Sequence, residues 1–174
     1  MTNTRPHDEI ERKYLIAMPD RAVLAAQDGA ETVQIRQCYL SGGPGGRLRM
    51  AVSACGTVYI HTIKKRLTDV RRVEYEREIS AAEYSSLLEY RDPSLNFIDK
   101  IRYRIPYGGL TAEVDLFSFW NDRAILEFEL DSELQQPEMP PWLHVIREVT
   151  HDRRYTNLAL AREVPMETLP QAEF

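Results

Sequence analysis

Apolar and charged side chains alternate along most of this chain with a period of two residues. Because successive side chains of a β-strand point to opposite faces, the alternation predicts strands with one apolar and one polar face. Turn-forming residues at 41–46, 54–57 and 107–109 separate these segments. Eight strands are predicted, at residues 9–16, 33–40, 47–53, 58–66, 71–79, 97–105, 111–119 and 123–130.

Helical segments interrupt the predicted strands. Pro19 lies just ahead of an apolar run from Ala22 to Ala26, as at the first turn of a helix. Ser80 is a predicted N-cap for a helix over residues 81–91. The prolines within 137–141 begin a C-terminal segment that is predicted to be mostly helical. Many strands with a few flanking helices indicate an α+β fold built around an antiparallel sheet.

The polar faces of the predicted strands are composed almost entirely of charged residues. The residues concerned are Glu9, Glu11, Lys13, Arg47, Arg49, Lys64, Arg72, Glu74, Glu76, Lys100, Arg102, Arg104, Glu113, Asp115, Glu127 and Glu129. On a single strand such a pattern is typical of an ordinary solvated face, which is the alternative explanation. A solvated face usually also contains Ser, Thr, Asn and Gln. The repetition of charge on strand after strand therefore favours a closed sheet whose charged faces converge inside.

The chemistry of these residues indicates what a charged interior would bind. An eight-stranded barrel has a bore wide enough for its own side chains and one small ligand. Isolated buried charges are costly, so acidic and basic groups inside need partners. Carboxylates without neighbouring thiols or imidazoles suit a hard cation such as Mg²⁺ or Mn²⁺. Arginine and lysine suit phosphate oxygens, so a metal together with a polyanion would satisfy both sets.

Composition narrows the class of protein. At 174 residues the chain is expected to form one domain, residues 1–174. Its 22 basic and 27 acidic residues give a net charge of −5, which argues against nucleic acid on the outer surface. No segment is apolar enough for a secretion signal or a membrane span, and Cys38 and Cys55 form no CxxC pair. We therefore expect a cytoplasmic protein that binds neither nucleic acid nor membrane, with a homodimer left open.

The order of the charged motifs resembles that of the CYTH family, also called the triphosphate tunnel metalloenzymes. Glu9-Ile10-Glu11-Arg12-Lys13 looks like the ExExK signature of the family at the start of its first strand. The likeness continues through Gln37-Cys38-Tyr39-Leu40, Arg47-Leu48-Arg49, Thr62-Ile63-Lys64, Arg72-Val73-Glu74-Tyr75-Glu76, Lys100-Ile101-Arg102-Tyr103, Glu113-Val114-Asp115 and Glu127-Phe128-Glu129. It spans about residues 9–161, and its last part resembles the bacterial single-domain branch.

The resemblance implies an eight-stranded antiparallel barrel, or tunnel, with a charged interior and helices packed outside. By position, the metal ligands would be Glu9, Glu11, Glu127 and Glu129. The triphosphate would be bound by Lys13, Arg47, Arg49, Lys64, Arg72, Lys100 and Arg102. Catalytic roles would fall on Glu11, Lys13, Arg49, Lys64 and Arg102. Supporting interior acids would be Glu74, Glu76, Glu113 and Asp115.

The activity that the resemblance implies is divalent-metal-dependent hydrolysis of a small-molecule triphosphate. Inorganic tripolyphosphate is the expected substrate, and Mg²⁺ or Mn²⁺ is the expected cofactor. Adenylyl cyclase and thiamine or nucleoside triphosphatase activity remain open within the family. A non-catalytic module that binds polyphosphate or nucleotide is a further alternative, and the retained carboxylates argue against it. Residues 140–161 are expected to cover one mouth of the tunnel.

Overall fold

The chain forms one curved, antiparallel β-sheet with short helices packed against it. A computed structural model describes residues 10–42, 45–66, 72–132 and 134–169. The strands are β1 (Ile10–Ala17), β2 (Glu31–Leu40), β3 (Gly46–Ser53), β4 (Gly56–Arg66), β5 (Arg72–Ile79), β6 (Ile98–Tyr107), β7 (Leu110–Phe117), β8 (Arg123–Leu130) and β9 (Val145–Glu148). The helices are α1 (Arg21–Ala25), α2 (Ala81–Leu87) and α3 (Asn157–Arg162), with 3₁₀ turns at Leu88–Tyr90 and Arg153–Tyr155.

The two predicted helices that correspond to α1 and α2 each begin at a side-chain cap. The carboxylate of Asp20 accepts a hydrogen bond of 2.8 Å from the backbone N–H of Ala22, one residue after the proline at 19. The hydroxyl of Ser80 accepts one of 3.1 Å from the N–H of Glu83, which confirms Ser80 as an N-cap. The longest helix among the described residues has seven residues. No helix among these residues is long and apolar enough to cross a membrane.

The sheet has nine strands in the order β5-β4-β3-β2-β6-β7-β8-β1-β9. Strands β1–β8 correspond to the eight predicted strands, and the antiparallel sheet is confirmed. The predicted closed eight-stranded barrel is wrong, because no pairing in the described ranges joins the two end strands β5 and β9. Strand β1 pairs with β8 on one edge and with β9 on the other. The pairing with β9 occupies the outer edge of β1 at Tyr14–Ile16, where a closed barrel would need pairing with β5.

The cross-strand register gathers the predicted charged residues on the concave face. Lys13 lies opposite Glu127, and Arg102 lies opposite Asp115. Residues that are directly opposite in an antiparallel pair share a face, so these side chains lie together. This arrangement confirms the predicted charged face.

The convex face is apolar and is covered by α1, α2 and part of the C-terminal segment. One cluster includes Tyr14, Val114 and Phe128 of the sheet, packed with Leu24 of α1 and Leu143. A second cluster contains Cys38, Leu40, Leu48 and Ile79 of the sheet together with Tyr84 of α2. The helices α1 and α2 therefore pack outside the sheet, as predicted.

The concave face changes from charged to apolar along the strands. Leu15, Ile98, Phe117 and Ile125 continue the faces that carry Lys13, Lys100, Asp115 and Glu127, and all four are buried. They pack against Tyr155, Leu160 and Ala161 of the C-terminal segment. The segment therefore packs against one end of the concave face. It was predicted to be mostly helical, which is wrong for β9, because Val145–Glu148 pairs with β1.

Candidate active site

The concave face surrounds a cavity of about 960 Å³. Each of the strands β1–β8 contributes at least one lining residue, so the open sheet curls far enough to bring them together. The charged and polar lining residues are Glu11, Lys13, Tyr39, Arg47, Arg49, Thr62, Glu76, Arg102, Glu113, Glu127, Glu129, Thr156 and Asn157. The volume lies in the range of small-ligand sites.

Arg102 lies at the centre of an ion-pair network on β6, β7 and β8. Its Nε donates to Asp115 Oδ1 at 2.6 Å, and its Nη2 donates to Asp115 Oδ2 at 2.6 Å and to Glu127 Oε2 at 2.7 Å. A further ion pair joins it to Glu113. Burial would lower the pKa of Arg102, but Asp115, Glu127 and Glu113 raise it well above its ordinary value. Arg102 therefore stays charged and is already neutralised by the protein.

Lys13 connects the acids of β1 and β8. Its Nζ lies 2.8 Å from Glu127 Oε1 and 3.4 Å from Glu11 Oε1. Burial opposes the charged form of Lys13, but Glu127 and Glu11 raise its pKa overall. Burial likewise opposes the ionised form of Glu127, yet Lys13 and Arg102 lower its pKa below the ordinary value. Both groups are therefore ionised in the ligand-free site.

Lys100 has a different environment from the other basic residues of the set. Its side chain is only 2% exposed and forms an ion pair with Asp115, and Lys100 lies outside the cavity lining. Burial and the neighbouring Arg102 lower its pKa to about 8. Its contact with Asp115 indicates a role in neutralising that carboxylate from behind the cavity wall.

Arg47 closes a second, smaller network on β3, β4 and β5. Its Nη2 donates to Glu76 Oε1 at 3.2 Å and to the hydroxyl of Thr62 at 3.4 Å. The Thr62 hydroxyl in turn donates to Glu76 Oε1 at 2.9 Å. The Nε of Arg47 is buried without a hydrogen-bond partner in the described part of the chain. Arg47 is thus only partly satisfied by the protein.

Arg49 is a half-buried cation that has no ion-pair partner among the described residues. Within the residues that the structure describes, it forms no ion pair, and its Nε is buried without a hydrogen-bond partner. Burial, and then the nearby Arg47, lower its pKa to about 10. Arg49 is therefore still protonated at neutral pH. Because an unpaired buried charge is costly, this position is suited to an anionic ligand.

The carboxylates proposed as metal ligands are only partly described. Glu11 and Glu129 lie directly opposite each other on β1 and β8, and both are exposed to the cavity. Glu9 lies outside the described residues. Among the residues that are described, no group of three or more Asp, Glu, His or Cys side chains is placed to hold a metal ion. The Glu11/Glu129 pair supplies only oxygen donors.

Three further predicted site residues are described by their backbone alone. Lys64 lies opposite Glu74 across β4 and β5, next to the Thr62/Glu76 pair. Arg72 lies at the start of β5, opposite Arg66.

The sequence analysis gave no site role to the uncharged polar residues of the concave face. Tyr39 lines the cavity, and its hydroxyl accepts a hydrogen bond of 3.4 Å from Nε2 of the fully buried Gln37. Burial raises the pKa of Tyr39 despite Arg47 and Arg49, so its hydroxyl keeps its proton and can donate it. Gln37 and Tyr39 alternate with apolar residues as the charged residues do. The same alternation predicts that Gln37 and Tyr39 share the polar face of their strand, even though neither is charged.

Searches against known proteins identify relatives along nearly the whole chain. No protein-family model matches it. The chain is 34% identical over 155 residues to an inorganic triphosphatase from Acetivibrio thermocellus, covering 88% of this chain and 93% of the relative. It is 33% identical over 163 residues to an inorganic triphosphatase from Nitrosomonas europaea, covering 90% of this chain and 99% of the relative.

Solved structures agree with these relatives. The fold is similar to a crystal structure of the inorganic triphosphatase NE1496, with a TM-score of 0.56 and 31% identity over 91% of this chain and 97% of that one. A second structure of NE1496, described as a hypothetical protein, has a TM-score of 0.58 and 32% identity, covering 91% of this chain and 100% of that one. Both the sequence and the fold are therefore shared along most of the length. The chain belongs to the inorganic triphosphatase family.

Proposed function

We propose that this chain is a divalent-metal-dependent triphosphatase of the tunnel type, which hydrolyses inorganic tripolyphosphate inside the concave cavity. The observation that carries the proposal is Arg49, which has no ion-pair partner among the described residues, beside the partly satisfied Arg47. A triphosphate would supply negative charge to Arg47 and Arg49, for which the described residues of this wall offer only Glu76. The relatives that act on inorganic triphosphate support the choice of substrate.

The basic residues would have two separate tasks. Arg49 and Arg47 would bind phosphate oxygens directly, since a guanidinium donates two parallel hydrogen bonds to a phosphate. Lys13 would approach the ligand from the opposite wall, where it bridges Glu11 and Glu127. Arg102 is held by three carboxylates and would orient the acids as well as contact the ligand. Phosphoryl transfer needs mainly this positioning and charge neutralisation from a protein.

The metal would be held by Glu11 and Glu129, together with Glu9. The two described carboxylates fit a hard cation because their donors are all oxygen and because like charges directly opposite on a sheet repel each other. Glu127 already accepts from Lys13 and Arg102, so we assign it to orienting those cations beside the metal. When bound, Mg²⁺ or Mn²⁺ supplies charge neutralisation to the phosphoryl oxygens.

The C-terminal segment would serve as a cover for the cavity. Thr156, Asn157 and Leu158 contribute to the lining, and Tyr155 and Leu160 pack into the apolar end of the concave face. Excluding water from this end strengthens the electrostatic interactions of a bound triphosphate.

A comparative turnover assay tests the proposal. Phosphate release is measured with tripolyphosphate, ATP and thiamine triphosphate, each with Mg²⁺, with Mn²⁺ and with excess chelator. We expect metal-dependent release that is fastest with tripolyphosphate. Formation of cyclic AMP from ATP would instead establish a cyclase. Tight binding of tripolyphosphate without release of phosphate would establish a non-catalytic binding module.

A further inference from the structure

Three arginines from separate elements converge behind the apolar end of the concave face. Arg123 is the first residue of β8, Arg147 lies in β9, and Arg154 lies in the 3₁₀ turn before α3. At ~3.3 Å per residue along a strand, Arg123 lies ~13 Å from Glu127 of the candidate active site. The buried Ile125 lies between them on the same face. The cluster is therefore distinct from the catalytic cavity.

The carboxylate of Glu167 occupies the centre of this cluster. Its Oε1 accepts a hydrogen bond of 2.8 Å from Arg147 Nη2 and another from the hydroxyl of Tyr155. Arg123 Nη1 lies 3.9 Å from Oε1, and Arg154 Nη1 lies 3.9 Å from Oε2. The backbone carbonyl of Glu167 accepts a hydrogen bond of 2.8 Å from Arg123 Nη2.

Glu167 does not saturate the donors that surround it. Distances of 3.9 Å are too long for hydrogen bonds, so two guanidinium groups approach the carboxylate without bonding to it. The side chain of Arg123 is only 7% exposed. Its Nη1 is buried and has no hydrogen-bond partner in the described part of the chain. A planar carboxylate offers two oxygens, whereas a tetrahedral oxyanion offers up to four. The larger anion can reach donors on several sides at once.

The charge of the cluster also suits an exchangeable anion. Asp122 accepts two hydrogen bonds from Arg123, at 2.8 and 2.7 Å, and Asp152 accepts two from Arg154, at 2.9 and 2.6 Å. Asp152 also lies 3.5 Å from Arg147 Nη1, so it is shared between Arg147 and Arg154. The three arginines are thus balanced by Asp122, Asp152 and Glu167 together. Removal of Glu167 would therefore leave one net positive charge.

The hydroxyl of Tyr155 is a neutral hydrogen-bond donor to Glu167 Oε1. Burial, and then the hydrogen bond to Glu167, raise the pKa of Tyr155 to about 12. The hydroxyl therefore stays protonated at neutral pH and can donate to any anion that replaces the carboxylate.

The occupant comes from a segment outside the sheet and the helices. Residues 163–169 follow α3 and contain neither helix nor strand. Displacing Glu167 therefore breaks no backbone ladder. We infer that Arg123, Arg147, Arg154 and Tyr155 form a second oxyanion site for a phosphate-class anion, and that Glu167 is its built-in occupant, which such an anion displaces.

Calorimetric titration with inorganic phosphate tests this site in the full chain at fixed salt. We expect Glu167→Gln to bind phosphate at one site at least ~10-fold more tightly than the unaltered chain, because a competing carboxylate is gone. Adding Arg147→Gln to that variant should abolish the gain. Glu163→Gln, an exposed acid of the same segment, and Arg153→Gln, an exposed base beside Arg154, serve as matched controls and should change nothing.

Several outcomes would overturn the inference. Phosphate binding that is the same in folded Glu167→Gln and in the unaltered chain would make Glu167 a latch for the C-terminal segment only. A gain that persists after Arg147→Gln would locate the anion elsewhere. If Glu167→Gln does not fold, a chain ended at Pro165 removes the same carboxylate and should show the same gain. The readout is binding of phosphate, so it is independent of triphosphatase turnover.

Discussion

Arg102 and Asp115 lie directly opposite each other on β6 and β7, and two hydrogen bonds of 2.6 Å join the guanidinium to the carboxylate. Arg49, on another wall of the same cavity, has no such partner among the described residues. The sequence predicts one role for both arginines. In the structure Arg102 is already neutralised by carboxylates of the protein, whereas Arg49 has no ion-pair partner among the described residues.

Replacing Arg49 should reduce activity and stabilise the ligand-free protein. We expect Arg49→Ala to lower kcat/KM for tripolyphosphate by about 10²-fold, because a guanidinium in a shielded site contributes strongly to stabilising developing charge. The ligand-free Tm should rise, because the substitution removes a half-buried charge that has no ion-pair partner among the described residues. Steady-state kinetics and thermal unfolding measure the two effects. Arg21→Ala, an exposed arginine of α1, is the control. Wild-type kinetics in Arg49→Ala would exclude a role for it in binding phosphate.

Replacing Arg102 should have the opposite effect on stability. Arg102→Ala leaves Asp115, Glu127 and Glu113 without their shared cation, and breaking a buried ion pair on one side costs about 3 to 5 kcal/mol. The free energy of unfolding by urea measures this loss. Arg104→Ala, whose side chain is 48% exposed, should change it by less than about 1 kcal/mol. Equal losses in the two variants would contradict the network.

Metal binding and metal-dependent turnover should require the carboxylates of Glu11 and Glu129. Glu11→Gln and Glu129→Gln should each weaken binding of Mn²⁺ and abolish most turnover, because each removes an oxygen donor with its charge. Calorimetric titration with Mn²⁺ measures the affinity, and excess chelator should stop the unaltered enzyme. Glu89→Gln, an exposed acid of the 3₁₀ turn after α2, should behave as the unaltered chain. Full turnover in chelator would rule out the proposed metal.

Lowering the pH should reduce the free energy of unfolding partly by protonating Glu127. Burial would raise the pKa of Glu127, but Lys13 and Arg102 hold it below the ordinary value. A carboxyl with a lowered folded-state pKa contributes stability that is present above its unfolded pKa, ~4.3, and is lost as the pH falls through the folded value.

Urea denaturation of the ligand-free chain at a series of pH values measures this contribution. The free energy of unfolding of Glu127→Gln should fall less steeply between about pH 5 and pH 2 than that of the unaltered chain. Glu89→Gln should keep the original slope. Parallel curves for Glu127→Gln and the unaltered chain would contradict the assignment.

A role for the C-terminal segment as a cover can be tested at Leu158. This side chain is 45% exposed yet lines the cavity. Leu158→Ala should lower kcat/KM by about threefold to tenfold, because water enters the site, while affinity for Mn²⁺ is unchanged. Leu134→Ala, with a side chain that is 91% exposed, is the matched control. Unchanged turnover in Leu158→Ala would mean that the segment only packs against the sheet.

The sequence by itself determined the strands β1–β8 and the charged face. Both follow from alternation between residues i and i+2, which is a local property of an extended chain. The Ser80 cap was equally predictable, because an N-cap bonds only to its own first turn. Strand β9 was not predictable in this way. It has four residues and is held by pairing with β1, which lies at the other end of the chain.

The roles of individual charged residues depended on the tertiary structure. Arg102 and Arg49 both lie on charged strand faces, but the register pairs Arg102 with Asp115 and pairs Arg49 with Gln37. Which cation is neutralised therefore depends on which strands are neighbours, and β2 pairs with β6 across a long stretch of chain. Periodicity within a strand contains no information about the residue opposite. The sequence could determine that a charged interior exists, and only strand pairing decided which of its charges the protein leaves for a ligand.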